Sequence, residues 1–192
     1  MSRSSKPKAS APRPERAGRP WRWPLTLLAL CPLLGACQTR PPLSVEPHID
    51  VPRFMGTWYV IACIPTVLER RAYGPQESYR LDEQGRVRTV FTFHQGSFEG
   101  PLKRYTPTGF IRPGSGGAVW GMQFLWPIKA DYRIVYVDPA YSLTVIGRER
   151  RDYAWIMART PRIAEAEYER LEALLQREGY DVTRLRRMPQ PP

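Results

Sequence analysis

Few residues in this chain of 192 are suited to covalent or metal chemistry, since it holds three cysteines and two histidines. His94 ends a predicted strand and His48 lies in a proline-rich stretch. Neither has a companion at the spacing of a metal site or a catalytic triad. Cys63 follows Trp58 by an odd offset, so strand alternation turns its thiol away from the Trp58 side unless a bulge intervenes. We therefore expect a small buried cysteine, no catalytic residue, no metal and no cofactor.

A basic leader precedes the second cysteine, Cys37. The first 36 residues carry seven Lys or Arg, and an apolar stretch runs from Trp21 to Ala36. This order is typical of a secretory signal, and the apolar run is too short for a comfortable membrane-spanning helix. Leu34-Gly35-Ala36-Cys37 resembles the lipobox of bacterial lipoproteins. The resemblance implies that a lipoprotein signal peptide, residues 1–36, is removed and that Cys37 is acylated and anchors the chain to a membrane.

The residues after the leader carry a mild positive charge. The leader contributes +6 of the total +11, which leaves +5 for residues 37–192. That excess could favour anionic lipids, although a solvated basic surface is the simpler explanation. No nucleic-acid-binding motif is present, so nucleic acid is not expected as a partner. Gln38 follows Cys37 where Gram-negative lipoproteins of the inner membrane carry Asp, and this resemblance implies an outer-membrane anchor that faces the periplasm.

The pattern of strands indicates an all-β domain. Residues 38–53 hold four prolines, so residues 37–53 are expected to form the lipidated cysteine and an extended tether. The barrel and helix should then occupy residues 54–188, before a tail at 189–192. Eight segments with strand character follow the tether: 56–64, 75–82, 86–94, 102–111, 118–126, 130–138, 142–149 and 152–159. Such a meander must hide its edges, and an eight-stranded antiparallel up-and-down β-barrel does so.

One helix is predicted after the strands. Thr160-Pro161 suits its N-cap and first position, and Gly179 its end. A single apolar stripe predicts that this C-terminal helix packs outside the barrel: Ala164, Tyr168, Leu171, Leu174 and Leu175. A short strand within 182–187 is expected to pair with the first. Arg148 to Asp152 should form a solvated hairpin tip.

Three short motifs, in order, resemble the lipocalin family. Gly56-Thr57-Trp58-Tyr59 begins the first strand, Asp138-Pro139-Ala140-Tyr141 follows the sixth, and Arg159 closes the eighth. Together with the lipobox they narrow the resemblance to bacterial outer-membrane lipoprotein lipocalins. The resemblance implies a barrel-closing motif in which Arg159 covers the ring of Trp58, with Gly56, Asp138 and Tyr141 beside them.

Strand alternation also selects the side chains that should line the barrel. With Trp58 and Arg159 turned inward, Ala62 is expected inside as well. We predict a ligand-binding cup formed by Val60, Phe91, Phe93, Trp120, Met122, Phe124, Tyr153, Trp155 and Met157. A filled core without a cavity is the alternative for a barrel of this size.

The apolar cup and the resemblance predict a membrane-anchored carrier, not an enzyme. Its expected ligand is a fatty acid or a lysophospholipid. We also consider that the protein forms a homodimer. Two other functions stay open at this point. One is a lipocalin-fold enzyme that acts on a lipid-like substrate, and the other is a structural envelope module with a filled barrel.

Overall fold

The computed structural model describes residues 40–191, and ten strands within that range form one antiparallel sheet. They are β1 Gly56–Ile64, β2 Ala72–Leu81, β3 Arg86–Gln95, β4 Leu102–Tyr105, β5 Thr108–Ile111, β6 Val119–Leu125, β7 Ile128–Val137, β8 Leu143–Gly147, β9 Ala154–Ala158 and β10 Arg186–Arg187. Because β1 pairs with both β2 and β9, the sheet closes on itself. The predicted eight-stranded barrel is confirmed, with β4 and β5 sharing the fourth position. The leader and Cys37 lie outside the described residues.

The fourth predicted strand is interrupted. Thr106 and Pro107 separate β4 from β5, and proline has no N–H to donate to a central strand ladder. β5 pairs with β3 and β6, whereas β4 pairs with β3. The connections after β1, β3, β6 and β8 lie at the barrel end opposite Trp58, because the strands alternate in direction.

A bulge in β1 changes the side-chain alternation after Val60. The register with β9 shifts between Val60 and Ala62, so Ile61 is the extra residue. Ala62 consequently packs outside the barrel, and the prediction that it faces inward is wrong. Cys63 turns into the interior cluster, where its Sγ lies 3.5 Å from the Sδ of Met188. Burial raises the pKa of the Cys63 thiol, which therefore stays protonated.

The C-terminal helix α2 spans Glu165–Arg177 and packs outside the barrel as predicted. Tyr168, Leu171 and Leu175 are its buried residues. The helix begins later than Thr160, whose hydroxyl donates to the carbonyl of Arg162 instead of capping. After it come a short 3₁₀ turn, Val182–Arg184, and β10, which pairs with β1 as expected.

The predicted tether folds onto the barrel from Leu43 onward. Leu43, Ile49 and Phe54 are buried, and Asp50 caps a single-turn helix α1, Val51–Phe54. The domain therefore begins before the predicted boundary at residue 54, because the apolar side chains of this segment find partners in the barrel and under α2. Arg40–Pro192 form one compact unit. Within residues 40–191, neither helix has the length and apolarity that crossing a membrane requires.

Candidate functional site

One end of the barrel is sealed by Trp58 and Arg159. The guanidinium carbon of Arg159 lies 3.8 Å from the centroid of the Trp58 ring. Its Nη atoms donate to four backbone carbonyls within residues 53–57, and Trp58 Nε1 donates to the carbonyl of Phe54 at 2.9 Å. Gly56 has a φ of +97°, and an added Cβ would lie 3.1 Å from Arg159 Nη1. Glycine suits both the backbone conformation and this close approach.

The Asp138–Tyr141 turn lies beside this seal. The Asp138 carboxylate accepts from the N–H groups of Ser142 and Leu143, both at 2.6 Å. Burial alone would raise the pKa of Asp138, but these donors hold it below its ordinary value. The carbonyl of Tyr141 accepts from Arg159 Nε at 3.2 Å, and its hydroxyl accepts from the Asp50 N–H at 2.8 Å. The turn therefore fixes both Arg159 and the N-terminal segment at the closed end.

The opposite end of the barrel opens into a cavity of about 300 Å³. Its wall is mostly apolar and includes five of the nine residues predicted for the cup: Phe91, Met122, Phe124, Tyr153 and Trp155. The β1–β2 loop adds Val67 and Leu68. This volume lies at the lower end of the range for small-molecule sites. A mostly apolar cavity can remove a hydrocarbon chain from water.

The other four predicted cup residues are Val60, Phe93, Trp120 and Met157, which lie in the packed interior and not in the cavity wall. Trp120 stacks on Tyr132 with ring centroids 5.0 Å apart, and Phe93 stacks on Tyr105 at 6.1 Å. Aromatic neighbours fill the space around Trp120 and Phe93, and a ligand contact for any of these four residues stays a prediction. The barrel is thus filled near Trp58 and open only towards the other end.

A carboxyl group, which the sequence analysis missed, lies in the cavity wall. Glu77 accepts a hydrogen bond from the hydroxyl of Tyr79, and that hydroxyl lies 2.8 Å from the hydroxyl of Tyr132. Burial raises the pKa of Glu77 to about 7. The hydrogen bond from Tyr79 lowers this pKa, whereas the negative charge of Glu69 raises it further. Strand alternation could have found this residue, since Glu77 and Tyr79 share one face of β2.

The β1–β2 loop is tied to the barrel by Glu69, which is only 3% exposed. Its carboxylate accepts from Trp155 Nε1 at 2.5 Å and from the N–H and hydroxyl of Thr66 at 2.9 and 2.8 Å. This arrangement holds Val67 and Leu68 over the cavity.

The β8–β9 turn is not the solvated tip that the sequence predicted. Arg151 is 6% exposed and donates to the carbonyls of Pro41, Glu149 and Glu178. It joins the N-terminal segment and the end of α2 to the turn, and these three acceptors explain its burial. Arg148 belongs to the cavity wall, with its guanidinium carbon 5.2 Å from the ring centroid of Tyr153.

Residues 49–190 match the model of the lipocalin-like domain, and the chain belongs to this family. Temperature-induced lipocalin-1 of Arabidopsis thaliana is 29% identical over 160 residues, which cover 77% of this chain and 83% of that protein. Outer membrane lipoprotein Blc of Escherichia coli K12 is 26% identical over 162 residues, 83% of this chain and 91% of that one. These similarities confirm the predicted resemblance to bacterial lipocalins.

Solved structures show the same fold. Insecticyanin from the tobacco hornworm Manduca sexta has a TM-score of 0.63 and 15% sequence identity. The match covers 79% of this chain and 86% of insecticyanin.

Proposed function

We propose that this protein binds an acyl lipid, a fatty acid or a lysophospholipid, and carries or stores it in the cell envelope. The observation that carries the proposal is the mostly apolar cavity at one end of a barrel whose other end is sealed by Trp58 and Arg159. Membership in the lipocalin family supports a small hydrophobic ligand. The acyl chain would lie against Phe91, Met122 and Trp155.

The head of the ligand would remain near the mouth, where Arg148, whose Nε lies 3.5 Å from Oδ1 of Asp152, belongs to the cavity wall together with Asp131. Burial of about 12 methylenes at about 0.8 kcal/mol each stabilises the complex by roughly 10 kcal/mol before costs. Lost ligand freedom removes several kcal/mol, so a micromolar dissociation constant, equivalent to a binding free energy of about 8 kcal/mol, is the tightest binding that we expect.

Titration of the chain beginning at Gln38 with saturated fatty acids from C6 to C18 tests the proposal. This chain contains the whole compact unit from Arg40 and lacks the anchor. We expect tryptophan emission to be quenched and affinity to rise with chain length until the cavity is full. Affinity that does not change from C6 to C18, measured by calorimetry, would contradict a hydrocarbon site and favour the structural alternative.

The anchor is the second part of the proposal. We infer that Cys37 is acylated after removal of residues 1–36 and holds the protein on the outer membrane, facing the periplasm. The lipobox sequence and the similarity to proteins named outer membrane lipoprotein Blc support this. Cys37→Ser should abolish acylation and move the protein out of the detergent phase. Normal processing and unchanged partitioning of that variant would exclude a lipid anchor at Cys37.

The enzyme alternative has less support. Cys63 is buried with a protonated thiol, and its sulfur contacts Met188, so it is poorly placed to attack a substrate. We also retain the homodimer as a proposal, and light scattering of the purified protein would measure its oligomeric state.

A further inference from the structure

We propose that Glu77, held by Tyr79 and Tyr132, binds a hydrogen-bond donor on the buried end of an otherwise apolar ligand. The donor would be a hydroxyl or amine group. This inference rests on the carrier function proposed above and specifies the chemistry of its ligand.

The position of Glu77 follows from the sheet register. Glu77 pairs with Trp58 on β1 and with Phe91 on β3, and both of those side chains lie inside the barrel. The carboxyl group of Glu77 therefore points inward as well, and it borders the cavity. The sheet holds it there on a regular strand, so the group cannot swing out to solvent without breaking the pairing.

The hydrogen bonds leave one oxygen of Glu77 available to a ligand. The hydroxyl of Tyr79 donates to Oε2, and the hydroxyl of Tyr132 is then free to donate to Tyr79 at 2.8 Å. Among the hydrogen bonds between described residues, none involves Oε1 of Glu77. This atom is nevertheless not fully buried, because it is absent from the set of buried polar atoms that have no partner. Oε1 is thus open to the cavity, and it is a hydrogen-bond acceptor in the ionised form of Glu77.

A plain hydrocarbon chain that fills the cavity would cover this acceptor without supplying a donor. Such burial is unfavourable, whereas a hydroxyl or ammonium group in the same place satisfies the oxygen. A carboxylate or phosphate would meet the charge of Glu77 and the nearby Glu69, and Arg148 at the cavity wall suits those groups better. The favoured ligand therefore carries its acidic group at the mouth and a donor at its far end.

Binding of matched fatty acids tests this inference. The chain beginning at Gln38 is titrated at pH 8, where Glu77 is mostly ionised, with saturated acids of 10 to 16 carbons and with the same acids carrying a hydroxyl at the terminal carbon. We expect the best hydroxy acid to bind about fivefold more tightly than its plain counterpart, the effect of one hydrogen bond. In Glu77→Leu the preference should reverse. Glu83→Leu, at an exposed position in the β2–β3 turn, is the matched control and should behave as the unmodified protein.

The outcomes separate this inference from the carrier function. If plain acids bind and no hydroxy acid of the series binds more tightly, the donor site is excluded while the carrier proposal stands. If neither series binds, both fail. The comparison in the unmodified protein decides the matter even if Glu77→Leu does not fold.

A second inference comes from the outer surface at the open end. Large apolar side chains of the β1–β2 loop and the β6–β7 hairpin are exposed around the cavity mouth: Val67, Leu68, Phe124, Leu125, Trp126 and Ile128. Trp126 is 81% exposed and Leu125 71%. We propose that this apolar rim docks on the surface of an anionic lipid bilayer and turns the mouth towards it.

The position of the first described residues supports a bilayer as the partner of the apolar rim. Arg151, in the β8–β9 turn at the open end, donates to the carbonyl of Pro41 at 2.8 Å. Arg40 is the third residue after Cys37, and a chain spans at most about 3.6 Å per residue, so the Cα atom of an acylated Cys37 stays within about 11 Å of that of Arg40. The anchor proposed above would therefore hold the open end near the membrane, whatever path these residues take.

The charges at this end agree with an anionic surface. Arg70, Arg71 and Lys129 are exposed at this end, where Glu99 is the exposed acidic residue. Asp131 and Glu149 form ion pairs with Arg133, and Asp152 forms ion pairs with Arg148 and Arg150. Basic groups beside exposed apolar side chains are typical of surfaces that bind anionic lipids.

Vesicle binding tests the docking surface without the anchor. The chain beginning at Gln38 is mixed with vesicles of phosphatidylglycerol and phosphatidylethanolamine and sedimented. We expect binding, and a loss of about tenfold in partitioning for the double variant Leu125→Ser, Trp126→Ser, as expected for removal of two large apolar groups from the interface. Leu81→Ser, exposed near the closed end, should bind as the unmodified protein does. Absence of vesicle binding, equal binding by the double variant, or a dimer that the double variant dissociates would overturn the proposal.

Discussion

Trp155 Nε1 donates a 2.5 Å hydrogen bond to Oε1 of Glu69, and this contact ties the loop over the cavity to β9. The bond joins two residues 86 positions apart in the chain. Because Trp155 also lines the cavity, loop position and ligand site depend on one side chain.

Trp155→Phe should loosen this loop. The change leaves a buried carboxylate with the Thr66 donors alone, so we expect a loss of about 1–3 kcal/mol in unfolding free energy and weaker acyl binding. Urea unfolding and a fatty-acid titration measure the two effects. Trp126→Phe, at an exposed position, serves as the control and should leave both values unchanged. Full retention of stability in Trp155→Phe would mean that the Glu69 bond does not hold the loop.

Trp58→Ala should be strongly destabilising. The ring is fully buried between Arg159 and Phe54, so its removal leaves a cavity and should cost on the order of 3–5 kcal/mol. Chemical unfolding is the measurement, and Trp126→Ala is the matched control with an expected change below about 0.5 kcal/mol. A loss of less than about 1 kcal/mol for Trp58→Ala would be inconsistent with its place in the seal.

Stability should fall as pH rises through the range in which Glu77 ionises. Its pKa is raised to about 7 in the folded protein from the ordinary value of 4.5, so the folded state binds the proton more tightly than the unfolded chain does. The contribution of Glu77 is therefore complete below pH 4.5 and lost above pH 7, up to about 3 kcal/mol.

Urea unfolding between pH 4.5 and 8.5 measures this dependence. Glu77→Gln keeps the side-chain shape but does not titrate, so its stability should vary less over this range and exceed that of the unmodified protein at pH 8. The groups facing Glu77 are Tyr79, Tyr132 and Glu69, and burial keeps both tyrosines protonated here. Parallel pH profiles for the two proteins would show that Glu77 ionises normally.

Ala130→Trp should block ligand uptake. Ala130 lines the cavity, and a larger side chain there would occupy the volume that an acyl chain needs. We expect at least a tenfold loss of affinity for palmitate by fluorescence titration, with the fold retained in circular dichroism. Ala140→Trp, in the exposed turn at the closed end, is the control and should bind palmitate normally. Equal palmitate binding by both variants would place the ligand elsewhere.

The sequence alone determined the barrel, the C-terminal helix and the residues of the seal. Segments with strand-forming residues alternate with turn residues along the chain. These signals are local, so they do not depend on how the side chains pack in the folded domain. Gly56, Trp58 and Arg159 were assigned to the seal because the short motifs that hold them resemble, in the same order, those of the lipocalin family.

Tertiary structure decided where the cavity lies and which groups reach it. The bulge at Ile61 moved Ala62 outside and Cys63 inside, a change that strict alternation does not predict. Trp120 and Phe93 satisfied the same alternation as Phe91, yet neighbours distant in sequence filled the space around them. Free volume depends on all the side chains that meet in the barrel, so no single strand specifies it. For the same reason, the sequence predicted an extended tether for the proline-rich segment, whereas Leu43 and Ile49 of this segment are buried in the folded domain.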